Sequence, residues 1–178
     1  AGTIAGTHAR NLTSIPEVSL GSVFDIQKNH SRAFADNFGM TVRNNIQEVF
    51  SDSDAVYITV PNKFHAELTL EALSAGKHVF CEKPMALNSE DCGKMIVAAK
   101  QSGKILQIGH CIRFWPEYVQ AKEIIDSQQY GKVLAASFQR LSLTPTWSWD
   151  NCFLDGKRSG GAMLDLHIHD TDFVQYVF

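Results

Sequence analysis

Apolar positions along the chain fall into short runs, separated by longer stretches in which apolar side chains recur every three or four residues. The run 18–24, closed by Asp25, predicts a strand. Residues 30–38 carry Ala33, Phe34, Ala35 and Phe38 ahead of Gly39, the spacing of a helix with a glycine stop. A helical turn at 46–50 precedes AVYITV at 55–60, a buried-type strand closed by Pro61. A helix over 65–75 places Leu68, Leu70, Ala72 and Leu73 ahead of Gly76, and 78–81 is the next strand. Ser89 suits the N-cap of a helix to Gln101, with Glu90 and Asp91 in its first turn and Gly103 beyond its end. A strand at 105–108 follows, and Pro116 fits the first turn of a helix to Ser127.

Strands alternating with helices build a parallel sheet covered on both faces. The expected class is α/β, a Rossmann-type doubly wound sheet with its first strand missing, followed by the start of an α+β domain. The later pattern differs. Residues 133–143 (VLAASFQRLSL) predict a longer strand, and a loop rich in Trp and Pro runs from 144 to 158. Gly160 and Gly161 then open an apolar helix to Phe178, with Met163, Leu164, Ile168 and Phe173 at helical spacing. Residues 1–121 form the expected dinucleotide-binding domain, and 122–178 begin a substrate domain.

Charge narrows the partners. Sixteen basic and 19 acidic side chains leave a net charge of −3 in 178 residues, which gives no electrostatic case for nucleic acid or an anionic membrane. No apolar run approaches the ~20 residues of a membrane helix, and no signal-peptide pattern opens the chain. The simplest address is cytoplasmic. Cys81, Cys92, Cys111 and Cys152 form no C-x-x-C pair, so we read them as reduced, outside any zinc site or disulfide framework.

Candidate chemistry begins at the N-terminus. With Gly2 as the second glycine of a G-x-G-x-x-G/A turn, Ala5 is the third small residue, and the first strand and first glycine lie upstream of residue 1. Asp25 ends the next strand about 20 residues on, where a carboxylate binds a ribose 2′-hydroxyl; the alternative is a loop or capping carboxylate. The turns Val60-Pro61-Asn62 and Glu82-Lys83-Pro84 each follow a strand, at the carboxyl edge where open α/β sheets bind ligands. Lys83 is either a proton-transfer or oxygen-binding group there, or a surface lysine paired with Glu82.

The string AGKHVFCEKPMAL, preceded by VPNKFH, resembles the glucose–fructose oxidoreductase/inositol dehydrogenase (Gfo/Idh/MocA) family. The resemblance extends to residues 1–12, where His8 is typical, to IGHCIRFWP at 108–116, to 131–141, and to SGGAMLDLHIHDTD at 159–172. It implies NAD(P)-dependent oxidation of a secondary alcohol on a sugar, cyclitol or related polyol. The family's catalytic lysine, aspartate and histidine fall on Lys83, Asp165 and His169. Cofactor contacts fall on Gly2, Thr3, Ile4, Asp25, Val60, Pro61, Asn62, His65, Glu82 and Lys83. Members are roughly twice this length, so the resemblance also implies a longer parent and a homo-oligomer paired through the second-domain sheet.

The chemistry of this set can be stated without the family. Hydride leaves a carbinol carbon for a nicotinamide, and an imidazole takes the hydroxyl proton. A cationic Lys83 stabilises the developing alkoxide. At i and i+4 of one helix, Asp165 and His169 share a face. A carboxylate at Asp25 repels the 2′-phosphate of NADP, so NAD is expected and NADP disfavoured.

Other residues leave alternatives. Arg113 binds substrate or a cofactor phosphate, or forms a structural ion pair. Trp147 and Trp149 wall the sugar site or pack against another surface. His167 and His169 with Asp165 suit a metal-dependent hydrolase only as a strand; in a helix the two imidazoles lie about 200° apart, which favours no metal and a packed His167. A non-catalytic NAD(H) sensor is the remaining alternative, and the presence of all three catalytic-type residues argues against it. His30, His78 and His110 have no evident partner in the sequence.

Overall fold

In the computed structural model, which describes residues 1–143, 145 and 148–178, three strands lie side by side in parallel. They are β3 (Ala55–Ile58), β4 (His78–Cys81) and β5 (Leu106–Ile108). The register sets Ile58 against Cys81 and Cys81 against Ile108, so all three end level at one edge. A separate parallel pair is formed by β1 (Ser22–Val23) and β2 (Thr41–Val42). The strand expected over 18–24 is therefore two residues long, and β2 carries too short a pattern to be read as a strand.

The strands join through helices, as a parallel sheet requires. These are α1 (Thr3–Leu12), α2 (Lys28–Phe38), α3 (Ile46–Ser51), α4 (His65–Ser74) and α5 (Ser89–Ser102). Val56 and Ile58 of β3 and Val79 and Cys81 of β4 turn inward onto Ala72 and Leu73 of α4 and Met95 of α5. Leu73 and Met95 are fully buried, worth about 1.5–3 kcal/mol each. The AVYITV segment reads as buried on both sides, yet only one face is: Ala55 and Tyr57 are exposed. Gly39 and Gly103 end α2 and α5 in the left-handed conformation. The cap of α5 is Asn88 rather than Ser89, with the Asn88 side-chain oxygen accepting from the Asp91 N–H at 2.8 Å.

Beyond β5 the expectations need more correction. In α6 (Pro116–Ser127), Tyr118, Ala121 and Ile125 pack on Ile112, Phe138, Phe173 and Val177, so the boundary expected at 121 falls inside a packed helix. Residues 133–143 pair with no strand among the described residues; Leu134, Leu141 and Leu143 are each more than nine-tenths exposed. A strand needs hydrogen-bonded neighbours to be stable, and none is present there. The single helix expected to Phe178 is three pieces: α7 (Gly156–Ser159), α8 (Gly161–Asp165) and α9 (Ile168–Val177). Gly160 separates the first two at φ +84°; a Cβ there would sit 2.5 Å from Leu164 Cδ2. Among the described residues no helix is long and apolar enough to cross a membrane.

Candidate active site

Because β3 and β4 end level, the turns after them are adjacent. His65 ties them together. Its ring is buried, with Nδ1 2.7 Å from the Pro84 carbonyl oxygen and Nε2 2.9 Å from that of Val60. Burial pulls its pKa below the ordinary value, against the two carbonyls that favour the charged ring. Both ring nitrogens of His65 are therefore engaged by the scaffold.

Lys83 projects from this edge to Asp165, at the end of α8. Its Nζ donates to the Asp165 carbonyl oxygen at 2.7 Å and to Oδ1 at 3.2 Å. The alternative of a surface lysine paired with Glu82 is not what forms. Glu82 instead lies 2.6 Å from His8 Nε2 and accepts the Lys83 backbone N–H at 3.1 Å. His8 also meets Phe80 edge to face, which pins α1 to β4. Asn62 donates to the Ser159 carbonyl oxygen at 2.9 Å and to Asp165 Oδ1 at 3.1 Å. Its amide thus faces the segment that carries Asp165. The Asp165 carboxylate is held by two donors from two different turns.

His169 lies in the first turn of α9, after the break at Leu166 and His167. Asp165 and His169 consequently do not share one continuous helix, as the i, i+4 spacing predicts. His169 Nδ1 is buried with no hydrogen-bond partner among the described residues. Burial first, then the cations Lys83 and Arg140, pull its pKa down to about 4, so the ring is neutral at pH 7. A neutral imidazole can accept a proton; the Lys83 ammonium, with two donors on Asp165, keeps a third for a substrate oxygen.

Arg140 and Tyr118, which the sequence did not mark, hold α9 through Asp170. Arg140 places Nε 2.9 Å and Nη2 2.7 Å from the Asp170 carboxylate oxygens, and Nη2 also donates to the Tyr118 hydroxyl at 2.9 Å. Asp170, next to His169, is buried, and Arg140 holds its carboxyl below the usual range. Sequence spacing signals Asp170 only as part of a His- and Asp-rich cluster, because its partner is 30 residues away. Arg113 donates through Nε to Asp172 at 2.7 Å and through Nη2 to the other oxygen, and stands 4.6 Å over the Tyr176 ring. Arg113 thus forms an ion pair with Asp172 through both of these nitrogens.

His167 occupies the N-cap position of α9, and its Nδ1 lies 3.2 Å from Asp170 Oδ2. Among the described residues no three His, Cys, Asp or Glu side chains come together as a metal site. Trp147 lies outside the described residues, and so does the Trp149 side chain.

The cofactor end is built from α1 and Asp25. Gly2 is the N-cap of α1 with no side-chain cap and no acidic residue in the first turn, so no side chain of the helix start caps the N–H groups of Thr3 and Ile4. A Cβ at Gly2 would meet nothing within 4 Å, which leaves room for a phosphate to approach the backbone. Asp25 Oδ2 lies 2.8 Å from the nitrogen of Ala1, beside that helix start, and Oδ1 accepts from the Gln27 N–H. An anion-receptive helix start with a carboxylate beside it fits a dinucleotide carrying a free ribose.

A parallel α/β scaffold with these features defines a Rossmann-type nucleotide-binding protein. Residues 1–110 match the model described as the Gfo/Idh/MocA oxidoreductase family, NAD-binding Rossmann fold, and residues 118–178 match the family's C-terminal domain. The chain belongs to the Gfo/Idh/MocA oxidoreductase family. It is 33% identical over 181 residues to scyllo-inositol 2-dehydrogenase (NAD(+)) of Bacillus subtilis, covering 99% of this chain and 51% of that protein. It is 32% identical over 184 residues to glucose-6-phosphate 3-dehydrogenase of the same organism, covering 100% and 52%. The structure of myo-inositol 2-dehydrogenase from Lactobacillus plantarum superposes with a TM-score of 0.81 at 26% identity, covering 99% of this chain and 53% of that one. The chain thus spans about half the length of the curated relatives it matches.

Proposed function

We propose that the protein is an NAD-dependent dehydrogenase that moves hydride between the cofactor and a secondary alcohol or ketone of a sugar, cyclitol or related polyol. The observation that carries this is the Lys83–Asp165 contact, which joins the strand edge to the α8–α9 segment bearing a neutral His169. Bound NAD supplies the hydride acceptor.

In the oxidation direction Lys83 holds the substrate oxygen and stabilises the alkoxide as the proton leaves. His169 receives that proton. Asp165 fixes Lys83, with Asn62 fixing Asp165 in turn. Gly2, Thr3 and Ile4 offer backbone N–H groups to the pyrophosphate, and Asp25 accepts from the adenosine ribose. The same Asp25 disfavours a 2′-phosphate. The cytoplasm and a homo-oligomer assembled through the second-domain sheet belong to the same reading.

Titration with NADH, competed by NADPH, tests the cofactor assignment: NADH binds more tightly, and Asp25→Ala weakens it about tenfold. Equal or tighter NADPH binding by the unmodified protein contradicts it. A polyol panel read by NADH formation then tests the activity.

A further inference from the structure

One imidazole near the site has no role in the account above. His110 follows β5 and its ring is mostly buried, yet its Nδ1 makes no hydrogen bond. Asp172 Oδ2 lies 3.7 Å from that nitrogen. Asp172 is not free to turn away, because Arg113 holds both its oxygens and is itself stacked on Tyr176. The charged groups acting on the His110 ring are Asp172, Arg113, Lys83 and Glu82, so it sits within electrostatic reach of the Lys83 edge, and it acts on His169 in turn.

We infer that His110 is a second imidazole of the substrate cleft, oriented by Asp172 so that its Nε2 accepts a hydrogen bond from a hydroxyl adjacent to the reacting carbinol. This rests on the dehydrogenase reading and names its substrate class, a vicinal diol. A carboxylate only accepts hydrogen bonds, so the nitrogen facing Asp172 is the one that carries the proton. The lone pair is then on Nε2. Two neutral imidazoles and one ammonium therefore present two acceptors and one donor. A substrate with neighbouring hydroxyls gives one O–H to His169 for transfer and the next to His110 for binding. A simple secondary alcohol leaves the second acceptor empty.

Nitrogen NMR of the histidine rings, together with steady-state kinetics, tests this on the whole chain. The unmodified protein shows His110 as the Nδ1–H tautomer, and with NADH present myo-inositol shifts the Nε2 signal. His110→Ala raises KM for myo-inositol about tenfold with a much smaller fall in kcat, and His110→Gln, whose amide reaches the Nε2 position, restores KM. A deoxyinositol lacking one hydroxyl next to the reacting carbon is handled alike by the unmodified protein and His110→Ala. An Nε2–H tautomer, an unchanged KM, or no shift with myo-inositol, scyllo-inositol or glucose overturns the inference. A polyol-dependent shift without NADH formation removes the dehydrogenase reading and leaves the His110 contact standing.

Discussion

The two halves of the chain are held together by different means. From β1 to β5 the fixed points are backbone ladders and an apolar core: strands in parallel register, with Leu73, Val79 and Met95 sealed between sheet and helices. From α6 onward they are side-chain pairs that cross long stretches of sequence: Arg140 on Asp170, Arg113 on Asp172, Lys83 and Asn62 on Asp165. Backbone periodicity organises the first half, and specific charge contacts organise the second. The geometry of the candidate site depends on the second kind, so it is the half more easily lost by a single substitution.

Lys83→Met carries the largest expected effect, because it removes both Lys83 hydrogen bonds to Asp165 and the cation at the substrate oxygen. Polyol-dependent NADH formation falls about 10²- to 10⁴-fold while NADH binding, measured by fluorescence titration, changes little. Arg140→Leu comes next. It leaves the Asp170 carboxylate buried without its cation, and urea unfolding shows a loss of about 3 kcal/mol. The double variant Arg140→Leu/Asp170→Leu recovers much of that loss, since no charge remains buried; failure to recover points to packing instead. Asn88→Ala removes one cap from the first half and costs about 1 kcal/mol by the same measurement. A first-half cap that outweighs the Arg140 clamp would reverse the contrast.

The smallest effect is on pH dependence. His169 has its folded pKa depressed to about 4, below its ordinary value of about 6.5. Its contribution to stability is complete above about pH 6.5 and declines as the unfolded chain takes up the proton first. Below about pH 4 the folded ring is protonated too, and the slope levels off. His169→Asn flattens this acid limb between pH 6.5 and 4, while His110 and His65, shifted the same way, keep part of it.

The contrast also explains what could be read from the sequence. The β3–α4–β4–α5–β5 order was legible because apolar spacing and the glycine stops report local structure, and Lys83 and Asp165 were legible through the motif resemblance. The Arg140–Asp170 and Arg113–Asp172 pairs were not, since charged residues 30 and 59 positions apart carry no periodic signal. The break after Asp165 was hidden for a related reason: the apolar spacing of Leu164, Ile168 and Phe173 continues across it, and the cause, hydrogen bonds from Lys83 and Asn62 to Asp165, lies in distant turns. The strand expected over 133–143 failed in the opposite sense. Its side chains suit a sheet, but pairing decides a strand, and the described residues offer no neighbour.

The measurement that bears most directly on the account is isotope transfer from a polyol deuterated at its ring carbons. With myo-inositol, scyllo-inositol and glucose offered in turn with NAD, at least one transfers one deuterium to the nicotinamide ring per NADH formed, and Lys83→Met slows the transfer by about 10²- to 10⁴-fold. NADH formed without deuterium, or bound cofactor with no transfer from any of the three, contradicts hydride abstraction at this site.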